Sequence, residues 1–101
     1  MYIDDELVPT DGDKNALMMI IKALHKAKTK HPYWPSEDIF HAHSILGEEY
    51  GESLRECVEY YNGKDESLNK IFAETSQTGA MCIRFLADFF DNPHINRQKP
   101  K

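Results

Sequence analysis

Cysteine is scarce in this chain, with two, Cys57 and Cys82, in 101 residues. They show no metal-ligand spacing, which makes a disulfide or a zinc site the less favoured reading. Each cysteine falls at an apolar helical position, so buried free thiols are expected. Long apolar runs are missing too: the longest, Ala16 to Ile21, is six residues, against the roughly 20 that cross a bilayer. Positive charge is short, 12 Lys and Arg against 17 Asp and Glu for a net charge of -5. That balance excludes a general basic surface for a nucleic-acid polymer but suits a phosphate ligand held through a bound cation. There is no internal repeat, no low-complexity segment and no alternation that reads as a strand. The opening Met1-Tyr2-Ile3-Asp4-Asp5-Glu6 lacks the basic and apolar regions of a secretory signal, and a cytoplasmic location is expected.

What the chain has is helical periodicity. At 101 residues with 41% hydrophobic and 29% charged residues it reads as one all-α domain of three helices, two of them long, with its core over about residues 13–91. Residues 1–10 lack periodicity and read as a loose arm, and the polar, proline-containing stretch 93–101 as a mobile tail. Asp11 or Asp13 is expected to cap the first helix, with Leu17, Ile20, Ile21 and Leu24 on its buried face and an end near Thr29. Lys22, His25, Lys26, Lys28 and Lys30 crowd its C-terminal half, where cations suit the helix dipole; phosphate binding is the functional alternative.

Pro32 and Pro35 then force an extended connection through Lys30-His31-Pro32-Tyr33-Trp34-Pro35. Trp34 is expected to plug the gap between the first two helices, or else to stack on a flat ligand such as a base. Ser36 reads as the cap of a second helix from about Glu37 to Tyr61, stopped by Asn62-Gly63. Its apolar stripe, Ile39, His43, Leu46, Tyr50, Leu54, Cys57 and Tyr61, is about 80° wide and is expected in the core. Glu49, Glu52, Glu56 and Glu59 form a separate acidic face. His41 and His43 read as surface or core-edge side chains.

Asp65 is placed to cap the third helix, whose apolar residues Leu68, Ile71, Phe72, Cys82, Ile83, Phe85, Leu86, Phe89 and Phe90 cover about 160°. Such breadth predicts contact with more than one neighbour, and with only three helices available a homo-oligomer follows. The remaining flank holds Glu74, Gln77, Met81, Arg84 and Asp88 within about 80°. On adjacent antiparallel helices, Glu49 and Glu52 would face Glu74 and Gln77. Grouped carboxylates repel and call for a cation; Mg²⁺, a hard ion that accepts carboxylate, water and phosphate oxygens together, is the natural one, with Mn²⁺ as a substitute. Arg84 on the same flank is placed to meet phosphate oxygens.

These residues resemble the MazG-like all-α nucleotide pyrophosphohydrolases. The EExxE motif of that family reads here as Glu48-Glu49-Tyr50-Gly51-Glu52, and its ExxD motif as Glu74-Thr75-Ser76-Gln77. Ile45-Leu46-Gly47, the run from Thr78 to Leu86, and Lys30 to Pro35 also look like members of the family, so that the resemblance covers about residues 13–91. It implies that Glu49, Glu52 and Glu74, with Gln77 in the place of the last motif acid, hold Mg²⁺. It also implies hydrolysis of a nucleoside or deoxynucleoside triphosphate to the monophosphate and pyrophosphate, in a homodimer or homotetramer whose subunits complete a four-helix bundle. In that reaction Glu48 or Glu56 would orient water, and Arg84, Lys26, Lys30 and Trp34 would contact substrate. Gln77 is the departure from the motif, and it motivates an alternative: a catalytically silent nucleotide- or protein-binding module of the same fold. A di-iron carboxylate bundle needs two Glu-x-x-His motifs, which the chain lacks.

Overall fold

The computed structural model describes residues 7–64 and 68–92, and in them three helices: α1 (Asp11–Lys30), α2 (Ile39–Tyr61) and α3 (Asn69–Asp91). No strand occurs among the described residues. The cap expected at Asp65, residues 1–6 of the expected arm and the tail from 93 lie outside the described residues.

Thr10, and neither Asp11 nor Asp13, caps α1. Its hydroxyl accepts from the Asp13 N–H at 3.0 Å while its own N–H donates to Asp13 Oδ2 at 2.9 Å. This reciprocal pair satisfies two backbone donors, one at each end of the Thr10–Asp13 turn. The start of α2 also moves. Asp38 is its cap, accepting from the N–H groups of Phe40 at 3.0 Å and His41 at 3.1 Å, because the Ser36 hydroxyl is occupied elsewhere, donating to Asp88 Oδ1 of α3 at 2.7 Å. Gly63 ends the segment with φ +75°, a backbone that glycine adopts without steric cost.

α3 is the central helix, with α1 and α2 both packed on it. α2 runs antiparallel to α3: Ser36, just before α2, meets Asp88 near the end of α3; the His43 ring stands edge-on to Phe85 with centroids 5.1 Å apart; and Glu52 reaches Glu74 near the start of α3. Small residues carry these packings. Ala42 and Ser53 are buried on α2, and Ser76 and Ala80 on α3, so the helices approach closely. Ala27, Ala80 and Met81 form the core cluster, with Ala23, Leu24, Trp34, Ile45 and Leu46 partly buried around it.

The apolar stripes expected in the core are only partly there. Of the seven residues predicted to be the buried face of α2 only Leu46 is half-buried, and the other six, Cys57 among them, are exposed. On α3, Leu68, Phe72, Leu86 and Phe90 are exposed, and on α1 so are Leu17 and Ile21. The α2 stripe is turned away, because the inward arc of α2 is taken by Ala42, Ile45, Glu49, Ser53 and Glu56; on α1 Ile20 and Leu24, and on α3 Ile71, Cys82, Ile83, Phe85 and Phe89, are half-buried as expected, while Ser76, Ala80, Met81, Arg84 and Asp88 take the innermost arc of α3. Both cysteines are free thiols, but only Cys82 is even partly buried.

Candidate metal centre

A cleft of about 540 Å³ opens between the C-terminal half of α1, the connection at 31–34, and the facing flanks of α2 and α3. It is lined by Lys26 and Lys30 from α1, Trp34 from the connection, Glu48, Glu49 and Glu52 from α2, and Glu74, Gln77 and Arg84 from α3. The antiparallel pairing that joins Ser36 to Asp88 sets the register that brings the two motifs level.

In the cleft lining, one carboxylate oxygen from each of Glu49, Glu52 and Glu74 lies within 4.8 Å of the other two. Three acidic oxygens this close together could hold a metal ion. The donor set is all oxygen, which favours Mg²⁺ or Mn²⁺ over softer metals. Glu49 titrates above the ordinary carboxylate range because burial strips it of water, and the charges of Glu52, Glu74 and Glu48 add to the shift. Glu74 is raised in the same way, by burial first, then by a hydrogen bond with Glu52 and by the charges of Glu52 and Glu56. Gln77 sits on the cleft wall one turn beyond Glu74.

Glu56 is not part of the cleft lining. It continues the acidic arc into the α2–α3 contact, where its Oε2 is buried with no hydrogen-bond partner among the described residues.

Arg84 is held otherwise than the sequence suggests. It is buried, its Nη2 donates to the carbonyls of His31 at 3.0 Å and Tyr33 at 3.3 Å, and its guanidinium lies 4.9 Å from the centre of the Trp34 ring. Burial pulls its pKa down, yet a guanidinium stays charged at any ordinary pH. It therefore presents to the cleft a cation already engaged with the connection. Trp34 packs on the Ala27, Ala80 and Met81 cluster, at the junction of α1 with α3, with its indole N–H buried and unpartnered among the described residues.

Met81, on the flank that the sequence sets beside Glu74 and Arg84, lines the cleft as well; His31, Tyr33 and Ile45 line it without having been singled out from the sequence. The prolines on either side of Tyr33 were the available signal, since a rigid connection projects its side chains from fixed points. The Tyr33 hydroxyl donates to Glu37, which raises the tyrosine pKa and lowers that of the carboxyl. No family model matches the chain, and no curated protein or solved structure does. No helix among the described residues is long and apolar enough to cross a membrane.

Proposed function

We propose that the protein is a Mg²⁺-dependent nucleotide pyrophosphohydrolase of MazG-like type, hydrolysing a nucleoside or deoxynucleoside triphosphate to the monophosphate and pyrophosphate. The observation that carries this reading is the convergence of Glu49, Glu52 and Glu74, from two helices, in a cleft whose other wall bears Lys26 and Lys30. Acid on one side and base on the other suits a polyphosphate bridged to the acidic side by a cation. The resemblance in the motifs around residues 48–52 and 74–77 supports the same reading.

Glu49, Glu52 and Glu74 would hold the ion, and Gln77 would add an amide oxygen to it or an N–H to a phosphate. When bound, the ion supplies the positive charge that the triphosphate and its leaving group require. Lys26 and Lys30 meet phosphate oxygens as point charges. Glu48, on the cleft rim, orients a water toward the α-phosphorus and accepts its proton; the new P–O bond forms as the bridge to the β-phosphate breaks and pyrophosphate leaves. Trp34 and Arg84 form the end wall against which the nucleoside is held.

Pyrophosphate release from a panel of nucleoside and deoxynucleoside triphosphates, with Mg²⁺, with Mn²⁺ and with chelator, tests this. The expected result is cation-dependent release from at least one triphosphate, abolished in Glu52→Gln. The absence of release across the panel, with nucleotide still bound, favours the silent binding module that Gln77 motivates.

A further inference from the structure

Two aromatic residues of the connection line the cleft, and the fold treats them differently. Trp34 is committed to packing: it lies half-buried against the cluster of Ala27, Ala80 and Met81, and the Arg84 guanidinium sits 4.9 Å from its ring centre. Tyr33 is 67% exposed and yet held. Its hydroxyl donates to Glu37, its carbonyl accepts from Arg84 Nη2 at 3.3 Å, and two residues on the chain is anchored by Pro35, which is fully buried.

Ordering an exposed side chain costs rotamer entropy that burial normally offsets, and here little of the ring is buried. The folded chain gains little from a fixed ring at this point, whereas a flat ligand gains a surface that needs no further ordering when it binds. The position agrees with that use. Arg84, which holds the connection, is ten residues along α3 from Glu74, about 15 Å of helix. An extended nucleoside triphosphate spans such a length, its phosphates at the carboxylates and lysines and its base at the connection.

We propose that Tyr33 is the platform on which the base of the nucleotide stacks, and that the site selects its ligands by the presence of a flat base rather than by which base it is. This rests on the cleft taking a nucleoside triphosphate, whether the protein turns it over or only binds it. Every base has a π-face, so stacking admits purines and pyrimidines alike. A polyphosphate without a base meets the carboxylates and the lysines of the cleft but leaves Tyr33 unused. Trp34, with Arg84 against its ring, closes the end of the cleft and is not the stacking partner.

Calorimetry in Mg²⁺ tests this with nucleoside triphosphates that carry a methylene in place of the α–β bridging oxygen. That bridge is the one the proposed reaction breaks, so binding is read without turnover. The adenine, guanine, cytosine and uracil analogues are expected to bind within about tenfold of one another, and each at least about tenfold more tightly than inorganic tripolyphosphate. Tyr33→Leu, apolar but not flat, is expected to remove that advantage and to leave tripolyphosphate affinity unchanged. Tyr33→Phe, which keeps the ring and loses the tie to Glu37, is expected to retain most of it. Unchanged nucleotide affinity in Tyr33→Leu, an equal fall in its tripolyphosphate affinity, Tyr33→Phe as weak as Tyr33→Leu, or one base preferred beyond tenfold overturns the inference. A wild type that binds none of the analogues removes the inference and the proposed function together. Binding that depends on Tyr33, with no pyrophosphate released from natural triphosphates, supports the inference and removes only the hydrolytic reading.

Discussion

Gly79 of α3 lies so close to Ile20 of α1 that a Cβ at this position would come within 2.8 Å of Ile20 Cδ1 and 2.9 Å of its Cγ1. The contact sets how near α1 lies to α3, and so where Lys26 and Lys30 stand above the carboxylates. Gly79→Ala should destabilise the protein, because overpacking costs about 1–3 kcal/mol, more than the roughly 1 kcal/mol that alanine gains in helix propensity. The midpoint of urea unfolding checks this, and a raised midpoint would show that Ile20 yields freely.

Arg84 is expected to act on the connection rather than on the carboxylates. Arg84→Ala removes the donors to the His31 and Tyr33 carbonyls, at a cost of about 2–3 kcal/mol for charged, buried hydrogen bonds. Arg84→Lys should rescue little, since an ammonium does not reproduce a planar group that bonds two carbonyls and stacks on a ring. Trp34 is the single tryptophan, so its emission reports the connection directly. It should shift to the red in both variants, while Mg²⁺ affinity, read by calorimetry, stays within about threefold.

The raised pKa values of Glu49 and Glu74 fix the sign of a pH effect. Between the ordinary carboxyl value of 4.5 and the raised folded values, the folded cation-free protein holds protons that the unfolded chain has released. Its stability contribution from these groups therefore falls as pH rises through that window and is level above it. A cation displaces those protons, so stabilisation by Mg²⁺ should grow over the same interval. Melting temperatures with chelator and with Mg²⁺, for wild type and Glu49→Gln, isolate the effect. A wild-type protein that gains stability relative to Glu49→Gln as pH rises, in chelator, would contradict it.

Gln77 stands one turn from Glu74 on the cleft wall. Gln77→Asp should bind Mg²⁺ more tightly, because an added negative charge beside the ion outweighs the shorter reach. Gln77→Ala should weaken binding or turnover, its amide being lost without replacement. Calorimetry on the three proteins, with turnover beside it, decides. If neither substitution changes either quantity, Gln77 is outside the ion's reach.

Helix number and the flanks that carry Glu49, Glu52, Glu74 and Gln77 were legible because 3.6-residue periodicity and motif spacing are local properties. Which stripe faces which neighbour was not. Periodicity shows that α2 has an apolar side and an acidic side, but a single chain gives no count of the helices available to cover the first, so Tyr50 and Leu54 were expected inside where Glu49 and Ser53 now sit. Ser36 was misjudged for a related reason: its partner, Asp88, is 52 residues away, and no local rule weighs such a contact against the nearer role of capping a helix. The sequence sets Arg84 toward phosphate oxygens and gives no sign of its carbonyl partners, His31 and Tyr33, because they belong to a connection whose path no propensity specifies.

The central place of α3 has a consequence for how the chain is made. Bonds that tie the structure together span Ser36 to Asp88 and His31 to Arg84, 52 and 53 residues apart, and both end on the last of the three helices. While α3 is still within the ribosome, α1 and α2 lack the helix on which both chiefly pack, and most tertiary structure must wait for a late, long-range closure. Nascent chains stalled before Asn69 should expose two amphipathic helices to chaperones, and release of the segment through Asp91 should end that exposure in a single step.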